Sequence, residues 1–145
     1  MNVQTHRLHI PTRGNSHQVD LTPHIADRLA AGAVHDGTAT VFVVGSTAAL
    51  TTIEYEPGLV EEDMTAALER IAPREGRYAH EEAWHDDNGH SHIRASLIGP
   101  SLTVPIVDGV LPLGTWQQIV LIDFDTRPRT REVIVQVVGV GRDGR

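Results

Sequence analysis

With 145 residues and a formal charge of −7, the chain is sized for one domain with a real core. An acidic chain with only two each of Trp, Tyr and Phe offers neither the basic face nor the stacking surface that nucleic acid or an anionic membrane needs. All 12 basic residues are arginine and there is no cysteine, which excludes lysine Schiff bases, a Walker lysine loop, disulfides, thiolate ligands and cysteine nucleophiles.

Val3 to Ile10 and Ser16 to Asp20 read as strands joined by a turn at Pro11-Thr12-Arg13-Gly14-Asn15. Thr22-Pro23 opens a helix, Thr22 as cap and Pro23 at the first helical position, with Ile25 and Leu29 on one face and Gly32 as the stop. Ala39 to Val44 is a β-branched run expected as a buried strand, and Ala49 to Tyr55 follows after a break at Gly45-Ser46-Thr47. A second helix is expected from about Gly58 to Ile71, where Val60, Met64, Leu68 and Ile71 recur at helical spacing and Pro73 closes it.

Residues 80–92 then concentrate four of the nine histidines with four acids and one amide, in what reads as an exposed loop. Ser91 is placed to cap a short helix with Ile93 and Leu97 on one side and Gly99-Pro100 at its end, a strand being the competing reading. From Ser101 the pattern is β: Leu102, Val104 and Ile106 alternate, Asp108-Gly109 signals a hairpin, and Gln117 to Asp123 and Glu132 to Val140 are strands around a turn at Arg127-Pro128-Arg129. The order ββα-ββα-βββ predicts a single α+β domain over residues 1–145 with a mostly antiparallel sheet. Such a domain cannot hide every sheet edge and face alone, so self-association is a natural outlet. The first seven residues hold no apolar run and no stretch nears the roughly 20 apolar residues of a membrane span, so the expectation is a soluble, cytoplasmic protein with no membrane or nucleic-acid partner.

Several runs together resemble the YjbQ family, whose members are often labelled secondary thiamine-phosphate synthases. They are Val41-Phe42-Val43 with Ser46-Thr47-Ala48, Glu54, Tyr78-Ala79-His80, Ser91-His92-Ile93-Arg94-Ala95-Ser96-Leu97, Gly99-Pro100-Ser101, Val104-Pro105 and Gly114-Thr115-Trp116-Gln117. The resemblance implies two packed, mostly antiparallel sheets with two main helices, a homotrimer with pockets near subunit boundaries, and a modest thiamine-phosphate synthase activity. Many members carry His-Thr-Thr where this chain has Gly45-Ser46-Thr47, and Asn-Glu-Asn where it has Ile53-Glu54-Tyr55. A histidine of the family pocket is therefore missing here.

His80 and His92 match family positions, and each is suited to ligate a metal or shuttle a proton; an imidazole hydrogen-bonded at a loop edge is the plainer role. His90 and His92 would share one ion only on an extended segment, since a helix would turn them about 200° apart. Glu54, at a strand end, is a candidate ligand, base or arginine partner, and Asn88 with Asp86 and Asp87 offers hard oxygen donors. Ser46 and Thr47 can cradle an anion or simply turn the chain, and Arg94 is the cation best placed for a phosphate or an ion pair. Trp116 and Gln117 are either pocket lining or packing.

The functional expectation is a weak transferase joining a pyrimidine pyrophosphate to a thiazole phosphate. Glu54, His80, His92 and Arg94 would be catalytic, and Ser46, Thr47, Asn88, Trp116 and Gln117 would bind ligand. His80, His90 and His92 would hold a divalent cation, magnesium or zinc. The alternatives are a non-catalytic trimer that binds a metal or a small phosphorylated metabolite, and a metal-dependent hydrolase.

Overall fold

Ile119-Val120-Leu121-Ile122 is a run of four fully buried aliphatic residues, and a strand of that kind needs cover on both faces. In the computed structural model, which describes residues 1–144, that cover comes from two further layers. The elements in chain order are β1 (Asn2–Thr12), β2 (His17–Asp20), α1 (Thr22–Ala30), β3 (Asp36–Val43) and β4 (Ala48–Glu54). A π-helical segment, Gly58–Asp63, then leads directly into α2 (Met64–Ile71). They continue with α3 (Ala79–Trp84), α4 (Gly89–Ile98), β5 (Ser101–Ile106), β6 (Gln117–Asp123) and β7 (Arg129–Val140).

One sheet has the order β1-β7-β3-β5 and the other β2-β6-β4, and every paired neighbour is antiparallel. The main core lies between the sheets: Val41, Val43, Val133 and Val135 from the first meet Leu50, Ile119 and Leu121 from the second, with Ile25 and Leu29 of α1 at the end. On its other face the smaller sheet packs Ala49, Val120 and Ile122 against Leu68 of α2 and Ala95 of α4. Each fully buried Leu or Ile contributes on the order of 1.5–3 kcal/mol relative to exposure. β6 is thus the centre of three layers, which explains its unbroken apolar run.

Three local expectations are corrected. First, Pro11 and Thr12, expected in the turn, continue β1, which runs beside β7 while β2 runs beside β6, so residues 13–16 carry the chain between sheets. Gly14 is required there, because a Cβ would lie 2.5 Å from the Asp125 carbonyl oxygen at a φ of 74°. Second, Thr22 does not cap α1. Its Oγ1 accepts the Ile119 N–H at 2.8 Å and so ties α1 to β6. Third, Asp108-Gly109 turns the chain with a single bridge, Val107 to Val110, and no second strand follows because the chain leaves for the other sheet. No helix among the described residues is long and apolar enough to cross a membrane.

Candidate functional site

The histidine-rich segment is not a loop. It folds as α3, a reversal and α4. His85 closes α3 in a left-handed conformation (φ 57°) and Asp87 repeats it (φ 55°), so the chain doubles back within four residues of backbone, 85–88. Gly89 then starts α4 pressed against Tyr78, where a Cβ would lie 2.4 Å from the Tyr78 Cβ. The reversal sets α3 against α4 and brings two of the four histidines together.

Those two are His80 and His92, whose rings meet edge to face with centroids 4.5 Å apart. His80 Nε2 lies 3.2 Å from Asp86 Oδ2, and both side chains are about one-third exposed, 33% and 38%. Asn88, with its amide nitrogen turned toward its acceptors, reaches Asp86 Oδ1 at 3.1 Å, Asp86 Oδ2 at 3.3 Å and His80 Nε2 at 3.2 Å. The same imidazole nitrogen therefore has a partner in both protonation states. When it carries a proton it donates to Asp86, and when it does not it accepts from Asn88. The corner is anchored below by Thr126 Oγ1, which donates to Asp87 Oδ1 at 2.8 Å.

α4 turns a polar face inward, contrary to the expected Ile93–Leu97 stripe; Ile93 is 45% and Leu97 59% exposed. Its buried residues are Gly89, His90, Ser91, Arg94 and Ala95. Ser91 Oγ donates to the Phe124 carbonyl at 2.5 Å. Arg94 donates through Nε to the Ala72 carbonyl (2.9 Å), through Nη1 to Ser16 Oγ (3.4 Å) and through Nη2 to Glu69 Oε2 (2.5 Å). Its guanidinium, on a residue 4% exposed, is a strut between helices and the 13–16 crossover and not a surface cation for a phosphate. His90 is only 2% exposed, packs near Tyr78, and leaves Nδ1 without a partner. Burial, and then Arg94 and Arg74, hold the His90 imidazole below its ordinary value, so it is neutral at pH 7.

His90 and His92 consequently do not grip one ion, because the helix turns them about 200° apart. Among the described residues the one group of three donors within 4.8 Å of one another is His35, Asp36 and Asp108, in a different part of the fold. The expected set His80, His90 and His92 thus fails as a zinc site, which needs three converging protein ligands.

The remaining residues separate into two places. Thr47 is buried in a network that sequence reasoning missed. Its Oγ1 donates to Asp125 Oδ2 at 2.9 Å and accepts from Arg131 at 2.7 Å, while Arg131 grips Asp123 and Thr12 Oγ1 donates to the same carboxylate at 2.5 Å. Burial pushes Asp125 up, but the Thr47 hydroxyl, the Thr126 N–H and Arg129 outweigh it and hold the carboxyl below its ordinary value. The legible signal was Asp123 and Asp125 on one side of the Arg127-Pro128 turn and Arg129 and Arg131 on the other; Asp123 ends β6, Asp125 lies in the turn, and the two arginines are two apart on β7. Ser46, next to Thr47, is exposed and Gly45 lies over Arg131.

Glu54, Trp116 and Gln117 lie at the opposite end of β6, since Glu54 pairs with Gln117 whereas Ala48 pairs with Asp123. β6 is 7 residues long. Its ends are therefore about 20 Å apart. Gln117 is occupied with Thr52 and Gly114, and Trp116 is 70% exposed. Within one chain the acid is not part of the His80–His92 corner.

Two antiparallel sheets backed by helices, with imidazoles and a carboxylate at one corner, define an α+β protein of the two-sheet type. Residues 6–140 match the family described as UPF0047 protein YjbQ-like, and the chain belongs to that family. A UPF0047 protein of Methanocaldococcus jannaschii is 35% identical over 92% of this chain and 93% of its own length. YugU of Bacillus subtilis is 31% identical over 91% and 97%. Among solved structures, a YbjQ-like protein of unknown function from Sulfolobus solfataricus superposes with a TM-score of 0.88 at 28% identity, covering 95% of this chain and 98% of its own. An uncharacterized conserved protein of the family from Clostridium acetobutylicum gives 0.80 at 34% identity, covering 93% and 99%.

Proposed function

We propose that this chain is a cytoplasmic transferase of the thiamine-phosphate-synthase type that uses the His80–Asp86–Asn88–His92 corner for proton transfer. The observation that carries the reading is the setting of His80 Nε2: a general acid–base residue must be stable with and without its proton, and Asp86 accepts from the protonated nitrogen while Asn88, with its amide turned nitrogen-first, donates to the bare one. His92, touching the His80 ring edge, is the second imidazole for the departing or incoming group. Of the two metals considered, a hydrated magnesium held by Asp86 and by the substrate's own phosphates suits these oxygen donors. The hydrolase alternative loses its support with the zinc set.

Because Arg94 is engaged elsewhere, the corner of one chain brings little positive charge to a leaving diphosphate, which favours slow turnover. The same observation keeps a second reading open, a non-catalytic homotrimer that binds a phosphorylated metabolite. Either reading includes self-association through the uncovered face of the four-stranded sheet.

The test is diphosphate release from a pyrimidine pyrophosphate in the presence of a thiazole phosphate, with magnesium. His80→Ala and His92→Ala each lower the rate by about 10²–10⁴-fold. Turnover that is the same in both variants as in the unaltered protein removes the acid–base reading, and binding without turnover selects the second. Glu54→Ala is the third arm: unchanged turnover keeps the site within one chain, and a comparable loss means that a neighbouring subunit brings its Glu54 to the corner.

A further inference from the structure

His35, Asp36 and Asp108 come together at the end of β3 remote from Thr47, and none of the roles above uses them. The backbone pins them from three distant segments. The His35 N–H donates to the Val140 carbonyl at 2.7 Å, and the Gly109 N–H donates to the His35 carbonyl at 2.7 Å. The Asp108 N–H donates to Asp36 Oδ1 at 3.3 Å, which holds the 107–110 turn against the start of β3. The end of β7, the start of β3 and this turn are all needed to make the group.

The two nitrogens of the imidazole are placed differently. His35 Nδ1 lies 2.8 Å from Asp36 Oδ2, a hydrogen bond in which the ring nitrogen donates to a carboxylate. In the neutral ring a proton on Nδ1 leaves Nε2 bare. Nε2 is 4.0 Å from Asp108 Oδ1, too far for a hydrogen bond. Two acceptors therefore stand across a gap from each other. Bonds from zinc to an imidazole nitrogen and to a carboxylate oxygen are each about 2.0–2.2 Å, so the gap is about one such ion wide. A tetrahedral angle draws two donors of this kind to about 3.3 Å. Asp108, its side chain 84% exposed, has room for that movement. An outer carboxylate that holds the far nitrogen of a metal-binding imidazole fixes its tautomer and raises its basicity.

We infer that His35, Asp36 and Asp108 hold a divalent cation of the zinc class, with His35 Nε2 and Asp108 Oδ1 as direct ligands and Asp36 as the carboxylate that orients the ring and stands third in the group. The three donors lie within 4.8 Å of one another. An imidazole nitrogen among carboxylate oxygens selects zinc, cobalt or nickel over magnesium, which takes oxygen donors and gives up its waters reluctantly. His35 and Asp108 also border a cleft of about 720 Å3, from which water can fill the remaining positions on the ion. This site is separate from the His80–His92 corner and stands whether or not the transferase reading does.

The probe is zinc chloride, titrated into the full chain free of any affinity tag and followed by calorimetry and by NMR of the histidine rings. The first equivalent moves the His35 ring signals, and an excess of magnesium does not displace it. His35→Gln and Asp108→Asn each weaken zinc binding by about tenfold or more, and Asp36→Asn weakens it by about 10–100-fold. Asp108 is exposed, so its variant keeps the fold, which an unchanged circular dichroism spectrum verifies. Joint replacement of His80 and His92 by alanine leaves this binding as it was. A first equivalent that moves only other histidine rings overturns the inference. So does an affinity unchanged in Asp108→Asn, or magnesium competing on equal terms. The ring signals of the unaltered protein decide the matter without any variant.

Discussion

Arg131 and Asp123 are joined by two hydrogen bonds of 2.7 Å, Nε to Oδ2 and Nη2 to Oδ1, with the Asp123 side chain fully buried and that of Arg131 7% exposed. The pair sits where the two sheets come together, because Arg131 belongs to β7 and Asp123 to the end of β6. Thr12 and Thr47 complete the carboxylate and guanidinium shells.

Removing one member of this pair leaves the other charged and buried. Arg131→Met lowers unfolding free energy by about 3–5 kcal/mol, the usual result of breaking a buried ion pair from one side. Urea unfolding followed by circular dichroism reads it directly. A loss below about 1 kcal/mol, the range of an exposed pair, shows that the network is solvated and not a clamp between the sheets.

The neutral His90 gives stability a definite pH dependence. Its native proton affinity is held down by burial, then by Arg94 and Arg74, against the smaller opposing pull of Glu69 and Glu81. The unfolded chain takes up this proton near the ordinary value of 6.5 whereas the native chain does not. As pH falls below that value the unfolded state therefore gains protons first and stability declines, by at most about 1.4 kcal/mol per pH unit for this group. His17, also lowered, acts in the same direction and remains as background. His90→Gln flattens the slope of stability as pH falls below the ordinary histidine value of 6.5. An unchanged slope assigns the acid sensitivity to other groups.

The outer face of the four-stranded sheet carries separate apolar pairs among polar neighbours, Arg7 and Ser101 flanking one of them. Phe42 pairs with Ile134, and Val138 lies between Val3 and Thr38. Phe42 is 39% and Val3 63% exposed. If the protein forms the proposed trimer through this face, Phe42→Glu places a charge in the contact and sedimentation velocity shows smaller species with an unchanged circular dichroism spectrum. A variant that sediments like the unaltered protein moves the interface to another surface.

The fold was legible where local pattern and tertiary burial agree. The β-branched Val41–Val43, the aliphatic stretch of β6 and the Pro23 and Gly32 boundaries of α1 all report their surroundings in their own composition. The 80–92 segment was not legible as helices, because its polar residues satisfy one another and the backbone of distant strands. Periodicity placed Ile93 and Leu97 inward, whereas Ser91 and Arg94 are held there by Phe124 and Ala72 carbonyls.

The linear chain by itself determined the acidic, cysteine-free α+β domain, most strand and helix positions, and the family. Only the tertiary structure decided which histidines meet and that Arg94 and Thr47 are buried braces. It also put Glu54 at the far end of β6, away from the imidazoles it was expected to join. The physical reason is that apolar burial leaves a periodic trace along the sequence, whereas a polar side chain's destination is set by a partner far along the chain, and no local spacing records that partner.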